Sequence, residues 1–172
     1  MSEQDLRKIT QEKISQGGIL AKMYFDVQDK DRERLQPILT DLIHEHLMKE
    51  RGVVYCYGVI EETLKMDEFY VTSATVTLLL EKIASLVHVA FNYTPIGIEI
   101  EKPEKELIMK VSELQALALD VSTISTTYSK YILEKVLKPE DAAEIVKRLE
   151  NRVKIGKDLM HKGSQSAEGS KQ

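Results

Sequence analysis

Tryptophan is missing from this chain, cysteine occurs once and proline four times, and no stretch reaches the roughly 18 consecutive apolar residues that a membrane-spanning helix needs. Each shortage excludes something. A single cysteine, Cys56, makes no internal disulfide, so the chain is no disulfide scaffold, and a reducing, cytoplasmic setting is expected. Cys56 stands in an apolar strand, where a buried structural thiol is the expected state. The first residues, Met-Ser-Glu-Gln-Asp-Leu-Arg-Lys, lead into no apolar h-region, so no secretory signal is expected. Basic residues are outnumbered, 24 Lys and Arg against 28 Asp and Glu, and the net charge of -4 argues against nucleic acid or an anionic membrane as partner.

Motifs that carry chemistry are equally scarce. His44-Glu45-His46 is the one histidine cluster, and His44 and His46 stand about 200° apart on a helix, too far round to clasp one metal. The hydroxyl-rich stretch 122–129 contains no Gly-x-Ser-x-Gly, and its hydroxyls are expected to bond backbone carbonyls one turn back. Glu99 and Glu101 share one face of a strand about 7 Å apart, as on any solvent-facing edge strand. Gly17-Gly18 lacks the Lys-Ser/Thr of a phosphate loop and reads as a turn. No catalytic residue, metal ligand or cofactor site is therefore expected.

What the chain does contain is periodic apolar sequence. Residues 1–17 select neither helix nor strand, because Leu6, Ile9 and Ile14 fit neither period. Residues 19–27 alternate, with Ile19, Ala21, Met23, Phe25 and Val27 on one face, which predicts a strand with one buried side. Leu35, Ile38, Leu39, Leu42, Ile43 and Leu47 then form a helical stripe behind the acidic residues 29, 31 and 33, and Pro37 either delays its start or bends a longer helix. Residues 52–60, Gly-Val-Val-Tyr-Cys-Tyr-Gly-Val-Ile, are apolar at odd and even positions alike, so this strand needs cover on both faces.

A polar connection at 61–68 suits a hairpin loop to a third strand at 69–80, with Leu78-Leu79-Leu80 divided between that strand and the next helix. Ile83, Leu86, Val87, Ala90 and Phe91 make a second helical stripe. Ile96, Ile98 and Ile100 alternate with Gly97, Glu99 and Glu101 as a half-exposed fourth strand. This order, βαββαβ, resembles the ferredoxin-like α/β sandwich, in which two helices cover one face of a four-stranded antiparallel sheet. The resemblance lies in element order alone, and that fold hosts many functions.

The last third reads as helical. Ser112-x-x-Gln115 has the form of a capping box. Leu114, Ala118, Val121, Ser125, Tyr128 and Ile132 recur at four and three, with Leu117, Ile124 and Tyr131 beside them. After a break at 138–141, Ala142, Val146, Leu149, Val153, Gly156 and Met160 repeat the pattern. The two stripes are expected to meet as a helical hairpin over 112–162, beside a sandwich at 18–111 and before a disordered tail at 163–172.

These features favour an α+β domain acting as a non-enzymatic binding or assembly module, a homodimer or higher homo-oligomer. Its interface residues are expected among Tyr55, Tyr57, Val59, Val121, Tyr128, Ile132, Val146, Leu149 and Val153. A small-molecule-binding regulatory domain is the second reading, with Gly58 and Gly97 offering close backbone approach. RNA recognition through aromatic residues at 24, 25, 69 and 70, or an enzyme with a site between subunits, ranks below both.

Overall fold

The structure, a computed structural model, describes residues 3–137, 143, 145–151, 154 and 155. The break at 138–141, Val153 and the tail from Gly163 lie outside the described residues. The chain divides into two units, Met1–Lys110 and Val111–Gln172.

The first unit is an antiparallel α+β sheet. Its elements are α1 (Glu3–Ser15), β1 (Ile19–Asp29), α2 (Arg32–Asp41), β2 (Val53–Ile60), β3 (Leu64–Met66), β4 (Phe69–Leu80), α3 (Ile83–Tyr93) and β5 (Gly97–Lys102). The sheet runs β2-β4-β1-β5, and β3 pairs with β4. Five strands are present where the sequence predicts four. The added strand lies in what reads as a polar loop, because Leu64 and Met66 pair with Val71 and Phe69 across a tight turn where Asp67 takes a left-handed φ of 52°. β3 therefore continues the edge that β2 begins, past an irregular step at residues 61–63.

One face of the sheet carries the core. Ile19, Ala21, Met23 and Phe25 of β1, Cys56 of β2, and Ala74, Val76, Leu78 and Leu80 of β4 pack against Leu39, Ile43 and Leu47 and against Leu86 and Val89 of α3. Asp31 caps α2, its carboxylate accepting from the Glu33 N–H at 3.0 Å, and Pro37 lies inside the helix rather than at its start. Leu35, Leu39, Ile43 and Leu47 recur every four residues, a step that drifts about 40° per repeat around an α-helix. A wider π turn at Leu42–His46, followed by a 3-10 turn at Leu47–Lys49, takes up that drift, and all four leucine and isoleucine side chains stay buried.

The opposite face is covered at one end by α1. This helix closes with Gly18 N–H bonded to Lys13 O at 2.8 Å and Gly17 N–H to Ile14 O at 3.1 Å, Gly17 having φ +94°, which is a Schellman cap. A Cβ on Gly18 would fall 2.7 Å from Lys13 O, so the reversal into β1 needs both glycines. Leu6, Ile9, Thr10, Lys13 and Ile14 form the half-buried stripe of α1, and Thr10 Oγ1 shares a 2.8 Å hydrogen bond with Tyr55 of β2. Leu79, on this outer face, is 0 % exposed. Leu78, Leu79 and Leu80 thus belong wholly to β4, their unbroken apolar run reflecting cover on both faces.

The second unit contains α4 (Val111–Val136) and further helical residues at 145–151. The capping-box sequence sits within its first turn, and residues 105–110 before it form neither strand nor helix. None of the 26 residues of α4 is buried.

Candidate assembly surfaces

On the outer face of the first unit, register determines which side chains stand together. Tyr55, Tyr57 and Val59 of β2 lie opposite Leu79, Thr77 and Thr75 of β4, and Leu64 and Met66 of β3 lie opposite Val71 and Phe69. The two tyrosine rings stack with centroids 6.1 Å apart and an interplanar angle of 21°. Tyr55 is held by Thr10 and half-buried, whereas Tyr57 is 55 % and Val59 64 % exposed. Leu64, Met66 and Phe69 are exposed as well, so an apolar strip follows the outer face of the whole β2–β3 edge. Within the first unit α1 reaches Tyr55 and leaves Tyr57 and Val59 open. Leu64, Met66 and Phe69 were missed as members of this surface, although the alternation Leu64-Lys65-Met66 already signals a strand.

The other half of that face is polar and internally paired. Lys22 meets Glu101 at 2.8 Å, and the Tyr24 hydroxyl donates to Glu99 Oε2 at 3.1 Å. The hydrogen bond to Glu101 raises the Lys22 pKa, and the bond to Glu99 raises that of Tyr24. The Tyr24 ring covers Gly97, its Cδ2 3.1 Å from where a Cβ would stand, a ring-over-glycine arrangement that stabilises an edge strand. At Gly58 the corresponding room is taken by Ile43 and Val76. Both glycines therefore accommodate the chain's own side chains. Phe25, weighed above as a base-stacking aromatic, is buried in the core.

Cys56 is buried and unpaired, burial pushing its thiol pKa up, with Sγ 3.7 Å from the Ile43 carbonyl oxygen. Among the described residues no group of three or more His, Cys, Asp or Glu is arranged to hold a metal ion, and no helix is long and apolar enough to cross a membrane. An open polar cleft of about 690 Å³ lies between the start of α2 and the β2–β3 step, lined by Arg32, Glu33, Gln36, Pro37, Glu62 and Thr63.

In the second unit Val121, Tyr128 and Ile132 are 47 %, 56 % and 41 % exposed, while Val146 and Leu149 are half-buried. Thr123, Thr126, Thr127 and Lys130 of α4 line a cleft of about 450 Å³ with Leu149, Glu150 and Lys154. The three threonine hydroxyls donate to the carbonyls of Leu119, Ser122 and Thr123 on their own helix, and Lys130 pairs with Glu150. The pairing raises the Lys130 pKa. Val121, Tyr128 and Ile132 are left on the exposed side.

Residues 20–156 match the MJ0538 family. No curated protein and no solved structure matches the chain.

Proposed function

The chain belongs to the MJ0538 family, and from its own surfaces we propose that it is a non-enzymatic assembly module, a homo-oligomeric subunit that meets its copies through its sheet and α4. The observation that carries this reading is α4 itself: 26 residues, none buried, with large apolar side chains exposed along one side. A helix exposed along its apolar side gains stability when that side packs against a partner. The apolar strip of Tyr57, Val59, Leu64, Met66 and Phe69 supports a second contact surface on the sheet. The ferredoxin-like reading accompanies this one. With β3 taken as an extension of β2, the order β2-β4-β1-β5 and the helices after β1 and β4 support a βαββαβ sandwich at 18–111. The Lys130–Glu150 pair supports a C-terminal helical hairpin, and the single buried thiol a cytoplasmic setting. Nucleic acid is disfavoured as a partner, since Glu99 and Glu101 stand beside the one aromatic ring of the polar half-face.

Light scattering of the pure protein at micromolar concentration tests the proposal. A dimer or larger is expected, with Val121→Glu/Ile132→Glu returning it to the monomer mass while its far-ultraviolet dichroism is retained. A wild-type monomer sinks the proposal. The polar cleft at Arg32 and Thr63 favours the second reading, a domain that binds a small polar metabolite, which a thermal-shift screen against nucleotides and amino acids would detect.

A further inference from the structure

Heptad positions counted from Val111 sort the whole surface of α4. Val111, Ala118, Ser125 and Ile132 fall at a, Leu114, Val121, Tyr128 and Lys135 at d, Gln115, Ser122 and Ser129 at e, and Leu117, Ile124 and Tyr131 at g. From Val111 to Ile132 no residue at these positions is charged. Glu113, Asp120, Lys130 and Glu134 all fall at c and f. The charge-bearing side is where Lys130 meets Glu150, and the uncharged side is where Leu114, Val121, Tyr128, Tyr131 and Ile132 are exposed. This inverts the arrangement of a solvated surface helix, whose charges face water. The uncharged side runs for about 33 Å at 1.5 Å per residue, three heptads, long enough for a stable helix seam.

A second copy fits this seam in one orientation. Charges at e and g ordinarily set partner orientation, and here there are none, so side-chain volume decides. Parallel helices would stack Ala118 on Ala118, Ser125 on Ser125 and Tyr128 on Tyr128, leaving voids beside a bulky layer, and would bring two Lys135 ammonium groups together. Antiparallel helices centred near residue 123 set Ala118 against Tyr128 of the second copy, Ser125 against Val121 and Ile132 against Leu114. Each small residue then receives a larger one, the alternation that fills a core without voids.

We propose that two copies associate by antiparallel packing of α4 on α4, across a two-fold axis that meets the seam at the height of residue 123, with Ala118 and Tyr128 of opposite copies in one layer. This rests on the homo-oligomer reading above and specifies its geometry. Cysteine crosslinking tests it in a Cys56→Ala background. The double variant Ala118→Cys/Tyr128→Cys should form covalent dimers under mild oxidation at least tenfold faster than either single variant. The two positions lie about 15 Å apart along one helix, beyond the roughly 7 Å limit between Cα atoms, so a disulfide within one chain is excluded. Leu114→Cys/Ile132→Cys, about 27 Å apart along one helix, tests the outer layer should the Tyr128 substitution unfold α4. Rapid dimerisation of Ala118→Cys alone, or double variants no faster than single ones in a protein that scatters as a dimer, overturns the antiparallel geometry and leaves the oligomer standing. A monomeric mass overturns both.

Discussion

The two units of this chain treat apolar surface in opposite ways. In the first, β1 and β4 place alternate side chains against α2 and α3, and the largest of them are fully buried. In the second, a helix of 26 residues buries none and sends its charged side toward the chain's own helical residues. Alternation in a strand identifies a buried face because only one packing satisfies it, whereas a helix with two usable stripes leaves open which one its neighbour takes. The contrast teaches that one unit encloses its apolar residues while the other leaves them exposed, on the surface proposed above for association.

Truncation in each unit gives the largest expected difference. Leu39→Ala should cost about 2–5 kcal/mol in urea unfolding, because Leu39 is wholly enclosed between helix and sheet. Val121→Ala, at an exposed position, should cost less than about 0.5 kcal/mol when the protein is dilute and monomeric. Under the proposed association its cost should grow with protein concentration. Equal costs at the two sites in dilute protein would break the comparison.

A smaller effect probes how tightly the first unit is joined. Gly52, with φ +85°, precedes β2, and a Cβ there would fall 2.1 Å from Ser85 Oγ and 2.9 Å from Ser85 Cβ on α3. Gly52→Ala should therefore lower stability by about 1 kcal/mol or more, through strain at positive φ and displacement of α3. Adding Ser85→Ala should recover only part of the loss, because the backbone strain and the Cβ contact remain. Full recovery would assign the whole cost to the hydroxyl.

Much of the first unit was legible from residues alone. Ile19 to Val27 alternate because their strand has one face on the core, and the sheet's long β4 lacks Gly and Pro throughout. α1 was not legible, because its stripe is completed by Thr10 and Lys13, polar residues that count as breaks in an apolar pattern. Thr10 belongs there through its hydroxyl, which meets Tyr55, and Lys13 is half-buried, as its long aliphatic stem allows. β3 was hidden by its length of three residues among acidic neighbours. At the candidate surfaces, Val121, Tyr128 and Ile132 are exposed while Thr123, Thr126, Thr127 and the Lys130–Glu150 pair line the cleft with residues 149 and 154, polar residues that an apolar periodicity does not count.

The smallest predicted effect separates the units by pH. In the first unit the Tyr93 hydroxyl donates to Glu50 Oε2 at 2.6 Å, and burial followed by that bond pushes its pKa from 10.0 up to about 12. A raised pKa means the folded state keeps a proton that the unfolded state loses, so the contribution is complete below pH 10 and fades as pH climbs toward 12. The urea midpoint of wild type should exceed that of Tyr93→Phe most clearly near pH 9, and the gap should narrow by about pH 11. In the second unit Lys130 is raised in the same direction by Glu150, but that pair is solvent-exposed, where an ion pair contributes little. Lys130→Met should accordingly leave both midpoint and pH slope nearly unchanged. A pH-dependent loss in Lys130→Met as large as that in Tyr93→Phe would mean that the second unit is held by its ion pair, and that the exposed side of α4 is not where its stability resides.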